Sequence, residues 1–344
     1  MNQKFGIGLP AALLTILGTT LFSDAKLCQA SYLGAEASPL AEVSVQTQQA
    51  PSVSSTNLHQ LGLTTNLAAV SSSCVGAASC GKEMTALRSQ VKEVMARYKS
   101  LSSGMFFLDM DTGNYLDING DRIFPAASTI KLPILVAFFQ DLDAGKVSLN
   151  ETLVMRRSLI TNGSGTMQYK KAGTKFTALE TVTKMVTISD NTATNMIIDR
   201  LGGIAKLNQR FRSWGLKDTV IHHLLADLKG TNTTSSQDMV KLLALLAQEK
   251  LVSEPSRQQL LGILRRTTTK TLLPAGLGSG AVIANKTGDI GFLVGDAGII
   301  DMPNGKRYLA AIFVRRPYKD PKVRSFVSQI SRLVYNYLEE QTDL

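Results

Sequence analysis

The 344-residue sequence predicts an α/β sandwich, in which an antiparallel sheet is flanked by N- and C-terminal helices and interrupted by an inserted all-helical domain. Three observations predict it. Strand-like apolar segments occur near residues 105–118 and again at 281–314, whereas the stretch between them carries helix caps and helical apolar spacing. Amphipathic helical stripes lie outside both strand groups, at 84–98 and 323–337. The hydrophobic share of 44% against a charged share of 19% is that of a chain able to bury a core, for which about 250 residues suffice.

Taken in order, Met84, Leu87, Val91, Val94, Met95 and Tyr98 form the first helical stripe, which gives way at Ser102-Ser103-Gly104. Met105 to Met110 and Tyr115 to Ile118 flank Asp111-Thr112-Gly113-Asn114 and predict a hairpin. From Ser128 onward helical signals dominate: Thr177-Ala178-Leu179-Glu180 is a capping box, and Gly202-Gly203 and Gly215 terminate helical runs. The helical insertion is expected over about residues 128–265. Strands return at Ala281 to Asn285, Phe292 to Asp301 and Arg307 to Val314, the last two joined by Pro303-Asn304-Gly305. Asp320 and Pro321 then open a final helix whose apolar face is Val323, Phe326, Val327, Ile330, Leu333, Val334 and Tyr337. No internal repeat is evident.

Residues 1–30 have the pattern of a secretory signal, with Lys4, an acid-free apolar run from Phe5 to Phe22, and small residues near Cys28-Gln29-Ala30. Export to the periplasm or medium follows, and an uncleaved anchor is the alternative reading. Residues 31–80, rich in Ser, Ala, Gln and Thr, are expected to be a flexible spacer before a folded part spanning 81–344. Cys74 and Cys80 remain after cleavage and stand close enough in sequence to pair. The formal charge of +10 is scattered in pairs such as Arg156-Arg157, Arg265-Arg266 and Arg315-Arg316, with no aromatic-interleaved run, which argues against a nucleic-acid partner. The three histidines, His59, His222 and His223, offer no His-x-His pair, so neither metal nor other cofactor is expected. The chain is expected to be a monomer without stable membrane contact after cleavage.

The chemistry concentrates in three short motifs. Ser128-Thr129-Ile130-Lys131 sits where an extended segment through Phe124-Pro125 turns into the apolar run Leu132 to Phe139. Spaced i and i+3 on a helix, the lysine amine reaches the serine hydroxyl, and desolvation or a second cation would lower its pKa enough for it to act as a base. The pattern alone is weak, because it recurs at Ser23 to Lys26 and Ser89 to Lys92. Ser189-Asp190-Asn191 lies between two helical runs, where a hydroxyl and an amide would relay a proton and hold a substrate amide; a plain helix cap is the competing reading. Lys286-Thr287-Gly288 ends a strand, where charge suits a substrate carboxylate and glycine permits close backbone approach. The three motifs in this order and context outweigh the separate structural readings.

From about Gly81 to Leu344 the chain resembles the class A β-lactamases and penicillin-binding DD-peptidases of the serine-hydrolase superfamily. The likeness extends to Ala172-Gly173-Thr174 and to Ser256-Arg257-Gln258-Gln259-Leu260. It implies a β-lactamase/transpeptidase-like fold and a β-lactam or peptidoglycan peptide as substrate. It implies Ser128 as nucleophile, Lys131 as its base or relay, Ser189 as proton shuttle, and Asn191, Lys286, Thr287 and Gly288 as substrate-holding groups. The backbone N–H groups of Ser128 and Asp289 would form the oxyanion hole.

Two departures bear on activity. The family's efficient β-lactamases carry a deacylating glutamate in a loop after the Ser-Asp-Asn helix, but no Glu occurs between Glu180 and Glu249. Asp227 is the nearest substitute for that base, with Asn232 as a water ligand, while a capping role for Asp227 is the competing reading. The family's carboxylate-binding arginine is also absent in its usual form, leaving Lys270 as the basic candidate. A β-lactamase with slow deacylation is the leading expectation. A penicillin-binding peptidase or esterase is second, and a non-catalytic peptidoglycan-binding or sensing module third.

Overall fold

The structure is a computed structural model and describes residues 81–341. The segments read as signal and spacer, with Cys28, Cys74 and Cys80, lie outside the described residues. Helix α1 (Thr85–Arg97) leads into β1 (Ser102–Asp109), β2 (Tyr115–Ile118) and the short β3 (Phe124–Pro125). A 3-10 turn at Ala127–Ile130 then starts α2 (Lys131–Asp143). The ribbon strands β4 (Thr152–Val154) and β5 (Lys175–Thr177) precede α3 (Ala178–Thr187), α4 (Asn191–Arg200) and α5 (Ile204–Ser213). After β6 (Thr233–Thr234) come α6 (Ser236–Ala247) and α7 (Glu254–Arg265). The chain returns to the sheet with β7 (Val282–Asp289), β8 (Leu293–Asp301) and β9 (Arg307–Arg315), and α8 (Lys322–Glu340) ends the fold.

The main sheet is five-stranded and antiparallel, in the order β2-β1-β9-β8-β7. Strand alternation sends neighbouring residues to opposite faces, and both faces are covered. Met105, Phe107, Ile312 and Val314 join α1 and α8 on one face through Leu87, Val91, Phe326 and Ile330. Phe106, Ala311 and Phe313 join the helical insertion on the other, where α2 is buried nearly all round.

The α/β sandwich expected from sequence is therefore the observed fold. The capping box of α3 is formed, Thr177 Oγ1 accepting the Glu180 N–H at 3.0 Å. Two boundaries differ from the sequence reading. Ser102-Ser103-Gly104 already belongs to β1, because Gly104 leaves room for the Phe124 ring: a Cβ there would stand 2.6 Å from Phe124 Cε2. Strand β7 continues past Asn285 through the Lys286-Thr287-Gly288 motif, because β8 still pairs with it, Thr287 against Asp296 and Gly288 against Gly295. The motif thus lies within a strand and not at its end.

Candidate active site

Ser128 sits on a turn held from several sides. β3 pairs with β6, and the next residue, Ala126, donates its N–H to Asn232 O at 2.6 Å and accepts from Thr129 N at 3.1 Å and Thr129 Oγ1 at 2.6 Å. Ala127 lies in the left-handed region at φ 47°, a conformation costly for a residue with a Cβ, so the surrounding contacts hold it there. Strand β7 passes directly alongside. A Cβ on Gly288 would stand 2.8 Å from Ser128 N, so only glycine lets the strand approach the nucleophile this closely.

Lys131, on the first turn of α2, is fully buried and points its amine at the centre of the site. Nζ lies 3.2 Å from Ser128 Oγ, 3.0 Å from Ser189 Oγ, 2.7 Å from Ser189 O and 2.8 Å from Asn191 Oδ1. Ser189 reaches it because it too is left-handed, φ 56°, between α3 and α4. Asp190, the N-cap of α4, accepts from Ala193 N at 2.9 Å and also from Thr166 N and Met167 N, tying the loop around Ser164 to the helix. Both readings of the Ser-Asp-Asn triplet thus hold at once: Asp190 caps, while its neighbours face the lysine.

Burial, then the nearby Lys286, hold the Lys131 amine well below the ordinary lysine value, with Asp190 opposing. A neutral amine donates to Ser189 O and Asn191 Oδ1 and keeps a lone pair for the Ser128 proton. Lys286 is equally buried, with Nζ 3.2 Å from Ser189 Oγ and 2.7 Å from Thr287 O. Burial lowers its amine to about 7, against the attraction of the buried Asp296. Burial raises Asp296 to about 6, offset by donors from Asn285 Nδ2 at 2.8 Å and Leu273 N at 3.1 Å. Ser189 Oγ therefore bridges two amines, both with lowered pKa and one on each side of it.

A cleft of about 360 Å3 opens over Ser128, lined by Ser164, Ser189, Thr268 to Leu272, Thr287, Gly288, Asp289, Val294 and Arg324. Lys270 is at its rim, its Nζ resting on Arg265 O at 3.2 Å. Asp289 is the only acid among the described residues lining the cleft, and its carboxylate is occupied by Arg316 Nη2 at 2.6 Å and Gly291 N at 2.8 Å. Among the described residues, no cluster of three His, Cys, Asp or Glu side chains stands ready for a metal.

Asp227 and Asn232 are placed differently from the sequence expectation. The Asp227 carboxylate is buried within its own loop, accepting from Thr231 N at 3.0 Å, Thr231 Oγ1 at 2.8 Å and Asn232 N at 2.6 Å. It is not among the residues lining the cleft, and its lone pairs serve loop closure instead of a water. The Asn232 side chain is likewise internal, accepting from His222 N and His223 N and donating to His223 O. Where the loop meets the site, its backbone is gripped at Leu225 by both ends of the Asn195 amide and at Ala226 N by Thr161 Oγ1. Those two positions are apolar. Asn195, Arg316 and Arg324 were missed from sequence, since an Asn inside a helix and single arginines near a chain end carry no motif.

A sequence model of the Beta-lactamase enzyme family matches residues 86–338. The chain belongs to that family. Solved structures of PBP-A, one of them a variant captured as an acyl-enzyme with penicillin G, are 53–54% identical to it with a TM-score of 0.75; they cover 76% of this chain and 98–100% of PBP-A. The extended-spectrum β-lactamase PER-1 of Pseudomonas aeruginosa is 27% identical over 73% of this chain and 87% of its own length. A β-lactamase of Bacillus licheniformis is 28% identical over the same shares. Membership of the β-lactamase family accounts for the fold, and the triplets that carried the resemblance are the residues the structure gathers around Lys131.

Proposed function

We propose that this β-lactamase-family enzyme transfers the acyl group of β-lactams and peptide-like amides to Ser128 and releases it slowly, which makes it a penicillin-binding enzyme of low hydrolytic turnover. The observation that carries the reading is the buried Lys131 amine within 3.2 Å of Ser128 Oγ and 3.0 Å of Ser189 Oγ. Ser128 Oγ loses its proton to Lys131 and bonds to the carbonyl carbon; the carbon–nitrogen bond breaks, and Ser189, fed by either lysine, passes a proton to the departing nitrogen. The backbone N–H groups of Ser128 and Asp289 receive the developing oxyanion, and Asn191 holds the substrate amide. Release requires a base that orients water. The lone cleft acid is engaged by Arg316, and the missing base slows this step by about a hundredfold to ten-thousandfold. That penicillin G was captured on PBP-A, 53% identical, agrees with a long-lived adduct.

Intact-protein mass spectrometry after mixing with penicillin G should show one adduct per chain, absent in Ser128→Ala. A chromogenic cephalosporin should give a burst of one product per site and then slow turnover. Linear turnover without a burst would point to a fast β-lactamase, and an adduct on Ser128→Ala would refute the nucleophile.

A further inference from the structure

The cleft carries more positive charge than one substrate carboxylate needs. Lys270 and Arg324 are both exposed at its rim, and among the described residues neither has a carboxylate within ion-pair distance. Lys270 rests on a backbone carbonyl, and the Arg324 guanidinium touches only the Thr271 hydroxyl. Below them lies Lys286, already at the site, while the acid of the same cleft, Asp289, is neutralised by Arg316. Cations held at a concave surface without a counter-charge favour an anionic ligand.

Their position within the cleft follows from how the segment 267–272 is tied down. Thr267 Oγ1 donates to Asn285 O at 2.7 Å, the residue before Lys286. Thr268 donates its N–H and its hydroxyl to Thr187 O at 3.1 and 3.0 Å, two residues before Ser189. The strap carrying Lys270 is thus fastened to the two elements that carry the proton donors for the departing group. Arg324, from the first turn of α8, meets the strap at Thr271. The departing half of the substrate therefore leaves beneath Lys270 and Arg324.

We infer that Lys270 and Arg324 form a two-cation clamp for a second acidic group on the leaving half of the substrate, so that the enzyme prefers acyl donors whose leaving group is a dicarboxylate. The inference rests on the acyl-transfer reading above and adds the substrate class. Ser128 Oγ bonds to the carbonyl carbon, the bond to the leaving nitrogen or sulfur breaks, and the serine proton ends on the departing group or in water. One carboxylate of that group faces Thr287 and Lys286, and the other lies between Lys270 and Arg324.

Two thioesters sharing one acyl half separate the possibilities, one with mercaptoacetate as leaving group and one with mercaptosuccinate. The wild-type protein should show a higher kcat/KM for the mercaptosuccinate ester, and the preference should shrink as salt rises. Arg324→Gln should lower the ratio of the two kcat/KM values by about five- to tenfold, the loss expected for one charge-assisted contact at a partly open site. Arg324→Lys should restore part of it. A wild-type ratio at or below unity, or a ratio unchanged in Arg324→Gln, overturns the clamp. Penicillin G adduct formation on the same preparations reports separately on the acyl-transfer reading: absence of any adduct on the wild type sinks that reading, whereas adduct formation without a dicarboxylate preference sinks only the clamp. Arg324 is exposed, so a matching Tm for its variants identifies a change in ratio as a binding effect.

Discussion

At the scale of single residues, the site is built by keeping two amines where water would stabilise their charge and is excluded. Lys131 and Lys286 are both buried completely, and the desolvation that makes Lys131 a usable base works against the folded state. The pH window follows from Lys286. Its amine is held at about 7 in the fold and returns to its ordinary value in the unfolded chain, so between those two values the unfolded state binds the extra proton. Stability therefore rises with pH across that window, and below about 7 the destabilisation is present in full. Lys286→Met should abolish acylation yet raise Tm relative to the wild type, by more at pH 6 than at pH 10. Scanning calorimetry at the two pH values checks this, and a larger gain at pH 10 would contradict burial as the cause.

At the scale of elements, the loop spanning residues 222–232 shows why part of the site was legible in sequence and part was not. Ser128, Lys131, Ser189, Asn191 and Lys286 could be read because each stands in a short local pattern whose geometry is fixed by a helix start or a strand. Asp227 was a candidate by default, the one acid near the expected place, and sequence contains no record of which way a loop carboxylate turns. Its three donors decide the matter. A buried carboxylate that gathers two backbone N–H groups and a hydroxyl is structural, and Asp227→Ala leaves those donors without a partner. The substitution should destabilise the protein by about 2 to 3 kcal/mol in urea titration, while the slow phase of cephalosporin turnover in the still-folded protein does not fall by the hundredfold expected from loss of a general base. Abolition of the slow phase with an unchanged urea midpoint would return Asp227 to a catalytic role.

At the scale of the whole molecule, the site exists only at the seam where a helical insertion leaves the sheet and returns to it. Ser128 and Lys131 stand where the chain enters the insertion, and Lys286 lies on the strand by which it comes back. The sequence showed the insertion by its caps, but not that it lacks a core of its own: the inner-face residues Phe106, Ala311 and Phe313 are continuous with the side chains of α2 and the other inserted helices. Because β9 alternates, its Ala310, Ile312 and Val314 pack at the same time under α1 and α8 on the other face. Neither layer can lose its packing without exposing the back of strands the other depends on, so the two should unfold together even though a chain of this length often populates intermediates. Trp214, the sole tryptophan, reports on the insertion, where it packs against Phe211 with ring centroids 5.5 Å apart. Phe326 lies in α8 on the opposite face and is 1% exposed. Phe326→Ala should cost about 3 to 5 kcal/mol, through lost burial and a cavity. That loss should move the Trp214 fluorescence transition in urea to lower concentration by the same amount as the far-ultraviolet dichroism transition. If the Trp214 transition stays where it is while the dichroism shifts, the insertion folds on its own, and the seam holding Ser128 and Lys286 together is a docking of two independent parts.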